Sequence, residues 1–243
     1  MSEHVLAAEG GVSVGEHLEW HVLGLTLNAD TVISTVIAAA IVLGLGSYLA
    51  AKATAGVPSG LQLVFETVTD QVERQVESNM GIRTAPFVVP LALSLFFFIL
   101  ISNWLAILPH AWEEYIRPPT ADVNLTFALA LFVMIMVWVT AIRVKGIHYF
   151  KHFVQPVSFM LPFNILEELV KPLTLALRLF GNILAGTVMV GVISLLPELV
   201  LWLPTTAWKL FDLFIGLLQA LIFALLTIIY FGSAAGPDEE EAH

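Results

Sequence analysis

Arg178 is the only charge in an apolar stretch, residues 172–197. A guanidinium held at mid-membrane costs ~2.5–3.5 kcal/mol on insertion scales. It cannot escape by losing its proton, because its pKa lies above ~12. Such a group needs an opposite charge, a water-filled cavity or both; the alternative is a side chain that snorkels to the interface. The chain itself offers weak partners. Asn182 lies one helical turn on and is neutral, while Glu167 and Glu168 lie about three turns back. Asp212 and Gln219 follow later, spaced so that one helix face carries both. No carboxylate is placed to neutralise Arg178, which points to a counter-charge on another chain. Gly181, Ala185 and Gly186 leave a smooth patch where a second helix can approach closely.

Other chemistries find little footing. Cysteine is absent, so there is no disulfide, thiolate nucleophile or Cys metal site. His17, Glu19 and His21 do not make the His-Glu-x-x-His pattern, because the Glu falls one residue late. His148 and His152 repeat the spacing beside Lys151 and read as interface residues. No Gly-x4-Gly-Lys loop exists to bind a nucleotide, and neither a cofactor nor a metal is expected. Asn124-Leu125-Thr126 matches a glycosylation sequon, and a chance match explains it. Ten Lys and Arg in total are too few and too scattered for a nucleic-acid partner.

The elements that position Arg178 and Asp212 follow from composition. Of 243 residues 58% are hydrophobic and only 12% charged, with a mean hydropathy of +0.88. This excludes a disordered chain and a soluble enzyme and implies a polytopic membrane protein. Residues 31–51, 84–112, 123–142, 172–197 and 213–237 each have the length and apolarity of a spanning helix. Lys52, Arg74 and Arg83 follow the first run; Arg143, Lys145, Lys151 and Lys171 follow the third; the other connections and both tails are poor in Lys and Arg. The alternation predicts an outside N-terminus and a cytoplasmic C-terminus. Residues 1–30 contain no Lys or Arg, so they read as an outside tail rather than a signal peptide. The net charge of −10 reflects solvated tails and loops, including the acidic tail at 237–243. Residues 61–80 alternate apolar and charged positions at helical spacing, as expected of an amphipathic helix on the cytoplasmic surface or packed on another subunit.

The last two runs extend to helices at 161–196 and 199–231, joined around Pro197. At 1.5 Å per residue these reach ~54 and ~50 Å, against a hydrocarbon core of ~30 Å. A strongly tilted antiparallel hairpin satisfies both numbers; upright helices with extramembrane extensions are the alternative. The expected architecture is therefore one all-α integral membrane domain, residues 1–243. It holds about five membrane helices, an amphipathic surface helix and a long tilted hairpin at the end.

Several of these motifs together resemble subunit a of F-type ATP synthases. They are Leu177-Arg178-Leu179-Phe180-Gly181-Asn182 after Lys171-Pro172-Leu173-Thr174-Leu175, and the run from Gln219 to Thr227. Leu25-Thr26-Leu27-Asn28-Ala29-Asp30-Thr31, Ser102-Asn103-Trp104, Ala121-Asp122-Val123-Asn124 and Pro162-Phe163-Asn164 with Glu167 also match, in order along nearly the whole chain. The resemblance implies a stator against which a ring of c subunits turns, each carrying one membrane carboxylate. It implies two offset proton half-channels separated by Arg178, the ring-facing charge, in a bacterial cytoplasmic membrane. The implied partners are the c-ring, b-type peripheral stalk subunits, the rest of the synthase and the bilayer; the chain alone is not catalytic. This sequence departs from many family members at the outer channel. Thr187 stands where they carry Glu or His, and Ala106 where some carry an acid; Asp212 occupies a position often held by His or Glu. Asp212 is thus expected to carry the outer channel, lined by Asn103, Asn182, Thr187 and Gln219, unless it merely pairs with Lys209. Glu167 and Glu168 are candidates for the cytoplasmic channel, the alternative being an ion pair from Glu167 to Lys171. A competing function is a secondary transporter with a mid-membrane site at Arg178 and Asp212. Such proteins show repeated halves and broken helices, and neither is evident here.

Overall fold

The computed structural model describes residues 19–22, 25–54, 56, 58–107, 118–146, 149 and 161–235. Six α-helices dominate: α1 Ala29–Lys52, α2 Gly60–Asn79, α3 Val88–Trp104, α4 Val123–Lys145, α5 Leu161–Ile193 and α6 Glu198–Ala235. Long apolar runs explain α1, α3, α4, α5 and α6, since a segment in hydrocarbon must satisfy its backbone polar groups internally. Four of the six, α1, α4, α5 and α6, are long and apolar enough to cross a membrane. The protein is a multi-pass integral membrane protein whose membrane-crossing elements are helices.

Local chemistry sets the helix ends. Asp122 precedes α4 and accepts a hydrogen bond from the Asn124 amide at 2.8 Å, an N-cap that satisfies one orphan donor. Arg143 and Lys145 occupy the last turn of α4, where cations complement the helix dipole. Gly146 then stops the helix with φ at +58°, a conformation side chains with a Cβ resist.

The run at 84–112 behaves differently from the expected single long span. Its regular α-helix is 17 residues, preceded by turns and followed by a 3-10 turn at Leu105–Ile107. The α3 rise of ~25 Å plus ~6 Å from the tighter turn still matches a ~30 Å core. Pro90 falls in the first turn of α3, where its missing N–H costs nothing. Residues 108–112 lie outside the described residues, as do His17, His148, His152, Lys151 and the acidic tail.

The segment read as an outside tail contains an antiparallel pair of short strands, β1 Glu19–Val22 and β2 Leu25–Asn28, with Glu19 opposite Asn28. β2 runs directly into α1.

The hairpin helices α5 and α6 have 33 and 38 residues and are joined by a turn over 194–197. Both exceed the core thickness, so they cross it obliquely or extend beyond it. The centre of the packing is α3 against α6, with α4 and α5 alongside. Ile99, Phe223, Phe231 and Ala176 are fully buried there. The amphipathic α2 turns Val72, Val76 and Met80 into this core. It meets α6 so closely that a Cβ on Gly232 would sit 2.8 Å from the Asn79 Cβ. Gly232→Val is therefore expected to cost ~1–3 kcal/mol by overpacking. The prediction is checked by the melting temperature of the purified complex and by the amount of this subunit in membranes, both of which should fall.

Candidate functional site

Arg178 lies on a face of α5 that nothing in the described chain covers. Its side chain is exposed, between Leu177 at 49% and Leu173 at 43% exposure. Leu175, Ala176 and Leu179 on the opposite side are buried against the core. Among the described residues Arg178 makes no ion pair and no hydrogen bond. Exposed apolar side chains flank the cation on α5, Leu173, Leu177, Val188 and Val192 among them, and α6 also exposes Leu210, Phe214 and Leu221. A snorkelling arginine belongs at a helix end, whereas Arg178 is near the middle of α5.

No ion pair within 4.0 Å joins Asp212 to Lys209, although the lysine charge still acts on the carboxylate. The carboxylate turns across the hairpin instead, where a Cβ on Gly186 would lie 3.2 Å from its Oδ1. Gly186 is buried, and its missing side chain makes room for the half-buried acid. From this contact α5 and α6 advance with equal rise in opposite directions. Equal rise would bring Arg178 and Gln219 level about two turns along each. Gln219 is 5% exposed, and its Nε2 donor finds no acceptor among the described residues. The Asn182 Nδ2 and the Trp208 Nε1 are buried in the same condition. Unpaired donors are rare in native proteins and mark places where water or a reacting group completes the bonding. Thr187 is exposed and spends its hydroxyl on the Ile183 carbonyl of its own helix at 3.0 Å.

Asn103 bridges the end of α3 to α6. Its Nδ2 donates to the Gly216 carbonyl at 3.2 Å, and its Oδ1 accepts from the Thr120 hydroxyl at 2.8 Å. Trp104 Nε1 donates to the Leu213 carbonyl at 3.3 Å. These bonds hold α6 within one turn of Asp212. Next to them, Asp122 accepts from Asn28 Nδ2 at 2.6 Å and from Thr31 Oγ1 at 2.9 Å, which ties α1 to the start of α4. Asp30, Thr120 and Asp122 are all buried. Asp30 and Asp122 belong to the motifs at 25–31 and 121–124, while Thr120 lies just outside them. Their signal was a cluster of short polar residues at the ends of spans, the usual place for caps.

Glu167 and Glu168 part company. Glu168 accepts from Trp138 Nε1 at 2.7 Å, from Lys171 Nζ at 2.7 Å and from the Tyr149 hydroxyl at 3.4 Å. It fastens α5 to α4 and to the connection between them. Burial first, then the Glu168 charge, pushes the Tyr149 hydroxyl up to about 12, so it stays a donor. Glu167 is 73% exposed and only 4.0 Å from Lys171, so the pair weighed from sequence is the looser of two. At helical spacing Glu167, Lys171, Thr174 and Arg178 form one stripe along α5.

Residues 32–232 match the family model described as ATP synthase A chain. The chain is 49% identical to ATP synthase subunit a of Acidothermus cellulolyticus over 95% of its own length and 85% of that protein. It is 48% identical to ATP synthase subunit a of Mycobacterium marinum over 99% of both chains. Against the chloroplastic ATP synthase subunit a of Stigeoclonium helveticum it is 38% identical over 92% of this chain and 91% of that one.

Proposed function

This chain belongs to the ATP synthase subunit a family, and from that premise we propose how it couples proton flow to rotation. The observation that carries the proposal is Arg178, an exposed and unpartnered cation in the middle of an apolar helix face. Its counter-ion is the carboxylate of a passing c subunit. Facing lipid, that carboxylate stays protonated because its ionised form is costly there. Facing Arg178, it ionises. Each proton that crosses the full potential contributes ~2.3 kcal/mol per 100 mV, and the ring converts successive steps into torque.

Two half-channels reach the ring carboxylate from opposite sides. The outer one runs past Asn103 and Asp212, with the unpaired donors of Asn182 and Gln219 leading toward the ring. The inner one enters along the stripe Glu167, Lys171, Thr174 and ends at Arg178. Glu168 is held by three donors, and this favours an anchoring role for it over a relay. Thr187 contributes a polar surface without a titratable proton. The N-terminus lies outside and the C-terminus inside a bacterial cytoplasmic membrane, with the c-ring on the α5–α6 face and b-type stalk subunits elsewhere on the helices. Among the described residues, no repeated halves or broken spanning helices favour a secondary transporter.

A cysteine-free chain makes the geometry testable. R178C/Q219C in assembled complexes is expected to form a disulfide on mild oxidation, because facing helices pack ~8–10 Å apart. G186C/D212C serves as the register control. A disulfide in the control with none in the first pair would show that the hairpin diverges before Arg178 and that the two half-channels do not meet there.

A further inference from the structure

Tryptophan carries a single polar hydrogen, and when the ring is buried that N–H ordinarily finds an acceptor. Trp104 donates to the Leu213 carbonyl at 3.3 Å, and Trp138 to Glu168 at 2.7 Å. Trp202 is 67% exposed. Trp208 of α6 is the exception among the described helical tryptophans, because its Nε1 is buried and has no acceptor among the described residues. We propose that Trp208 is a positioning residue for proton entry, holding a water molecule that donates to Asp212. The proposal rests on the reading of Asp212 as the acid of the outer half-channel.

Helix geometry places that water. Trp208 and Asp212 stand at i and i+4 on α6, so their Cβ atoms lie ~5–6 Å apart on one face. Helical side chains lean toward the N-terminus, which carries the Asp212 carboxylate back toward the Trp208 turn. Across the hairpin, Gly186 confines it: a Cβ there would lie 3.2 Å from Asp212 Oδ1. No direct hydrogen bond joins indole and carboxylate, and two hydrogen bonds in series through one water span ~5.6 Å. Phe211, with its ring centroid 5.3 Å from that of Trp208 and inclined at 43°, restricts the indole plane. Because Nε1 is buried, lipid esters and bulk solvent do not reach it, and an interior water is the acceptor of the right size.

The direction of the bonds follows from the donor inventory. An indole N–H only donates, and an ionised carboxylate only accepts. A water between them therefore accepts from Trp208 and donates to Asp212. In that orientation proton entry is a short step. The water O–H bond aimed at Asp212 breaks as the carboxyl O–H bond forms, and the water takes a replacement proton from the next water outward. In the orientation proposed above, α6 enters the membrane from the outside. Trp208 then lies ~6 Å outward of Asp212, on the side from which those protons come.

The test replaces Trp208 with 3-benzothienylalanine by stop-codon suppression in the assembled synthase. Sulfur takes the place of the N–H, while the ring size and the contact with Phe211 are kept. Respiration-driven ATP synthesis in inverted membranes should fall about fivefold, the worth of the one hydrogen bond lost. Subunit content and passive leak should not change, and tryptophan inserted by the same suppression should restore the rate. Trp208→Phe, which also shrinks the ring, should lose at least as much. An isostere as active as tryptophan, or a loss of activity matched by a loss of subunit, would show that the ring only packs and would overturn the assignment. Asp212→Asn separates this assignment from the reading beneath it. Slow synthesis by Asp212→Asn beside a normal isostere sinks the role of Trp208 alone; normal synthesis by Asp212→Asn sinks the outer-channel reading and Trp208 with it.

Discussion

Arg178→Ala is expected to abolish proton-driven ATP synthesis and to raise passive proton leak through the assembled complex. Both effects have one cause. The guanidinium repels a proton moving directly between the half-channels, and it draws the ring carboxylate into its ionised form. Removing it leaves a smooth apolar wall on α5, so the ring carboxylate no longer ionises in passing. Without the repulsion, the two half-channels can also exchange protons without rotation. Arg178→Lys separates charge from shape. Lysine keeps a cation but loses the planar fork, and its pKa falls readily when desolvated. It is expected to fail in coupling as well, with less leak than alanine. The measurement is ATP synthesis and proton leak in inverted membranes whose content of this subunit has been checked. Since Arg178 is exposed and makes no hydrogen bond or ion pair among the described residues, its loss should leave the internal packing unchanged and the variant should assemble. Near-normal synthesis by the alanine variant would remove Arg178 from the coupling step and take the proposed mechanism with it.

The contrast between what could be read in the sequence and what could not follows interaction range. α1, α4 and the two hairpin helices are written as long runs with at most one charge, a signal that needs no knowledge of neighbours. Arg178 was equally legible, because a lone charge in such a run is anomalous by itself. β1 was not, since four residues alternating over Glu19–Val22 are too few to distinguish a strand from a tail. Asn103 could be named but not placed: its partner is a carbonyl 113 positions away. Glu167 and Glu168 are adjacent and chemically alike, and only the position of Trp138 on α4 decides which is fastened and which stays exposed. Asp212 shows the same limit. Its nearest cation in sequence is Lys209, and the local rule for helix pairs favours that contact. The buried Gly186 across the hairpin supplies space that the local rule does not see.

That space is the reason to expect a large effect from Asp212→Asn. The substitution keeps the volume of the side chain beside Gly186 and removes the proton that the outer channel passes. Synthesis driven from the outside should fall by ~10²-fold or more, the usual contribution of a positioned proton-transfer group. Assembly should survive, because Asp212 makes no hydrogen bond or ion pair within the described chain that the amide would lose. Passive leak should stay low, because Arg178 still separates the half-channels. Low synthesis with low leak thus distinguishes a blocked entry from the open gate expected of Arg178→Ala. Asp212→Glu supplies the control for titration without shape. The longer carboxylate meets α5 at Gly186, where even a Cβ would lie 3.2 Å from the native Oδ1, so partial activity is expected. If Asp212→Asn synthesises ATP at the normal rate, the acid is structural. The outer protons then travel by water past Asn103 and along Asn182 and Gln219, and the unpaired amide donors of the latter two would be sufficient to order it.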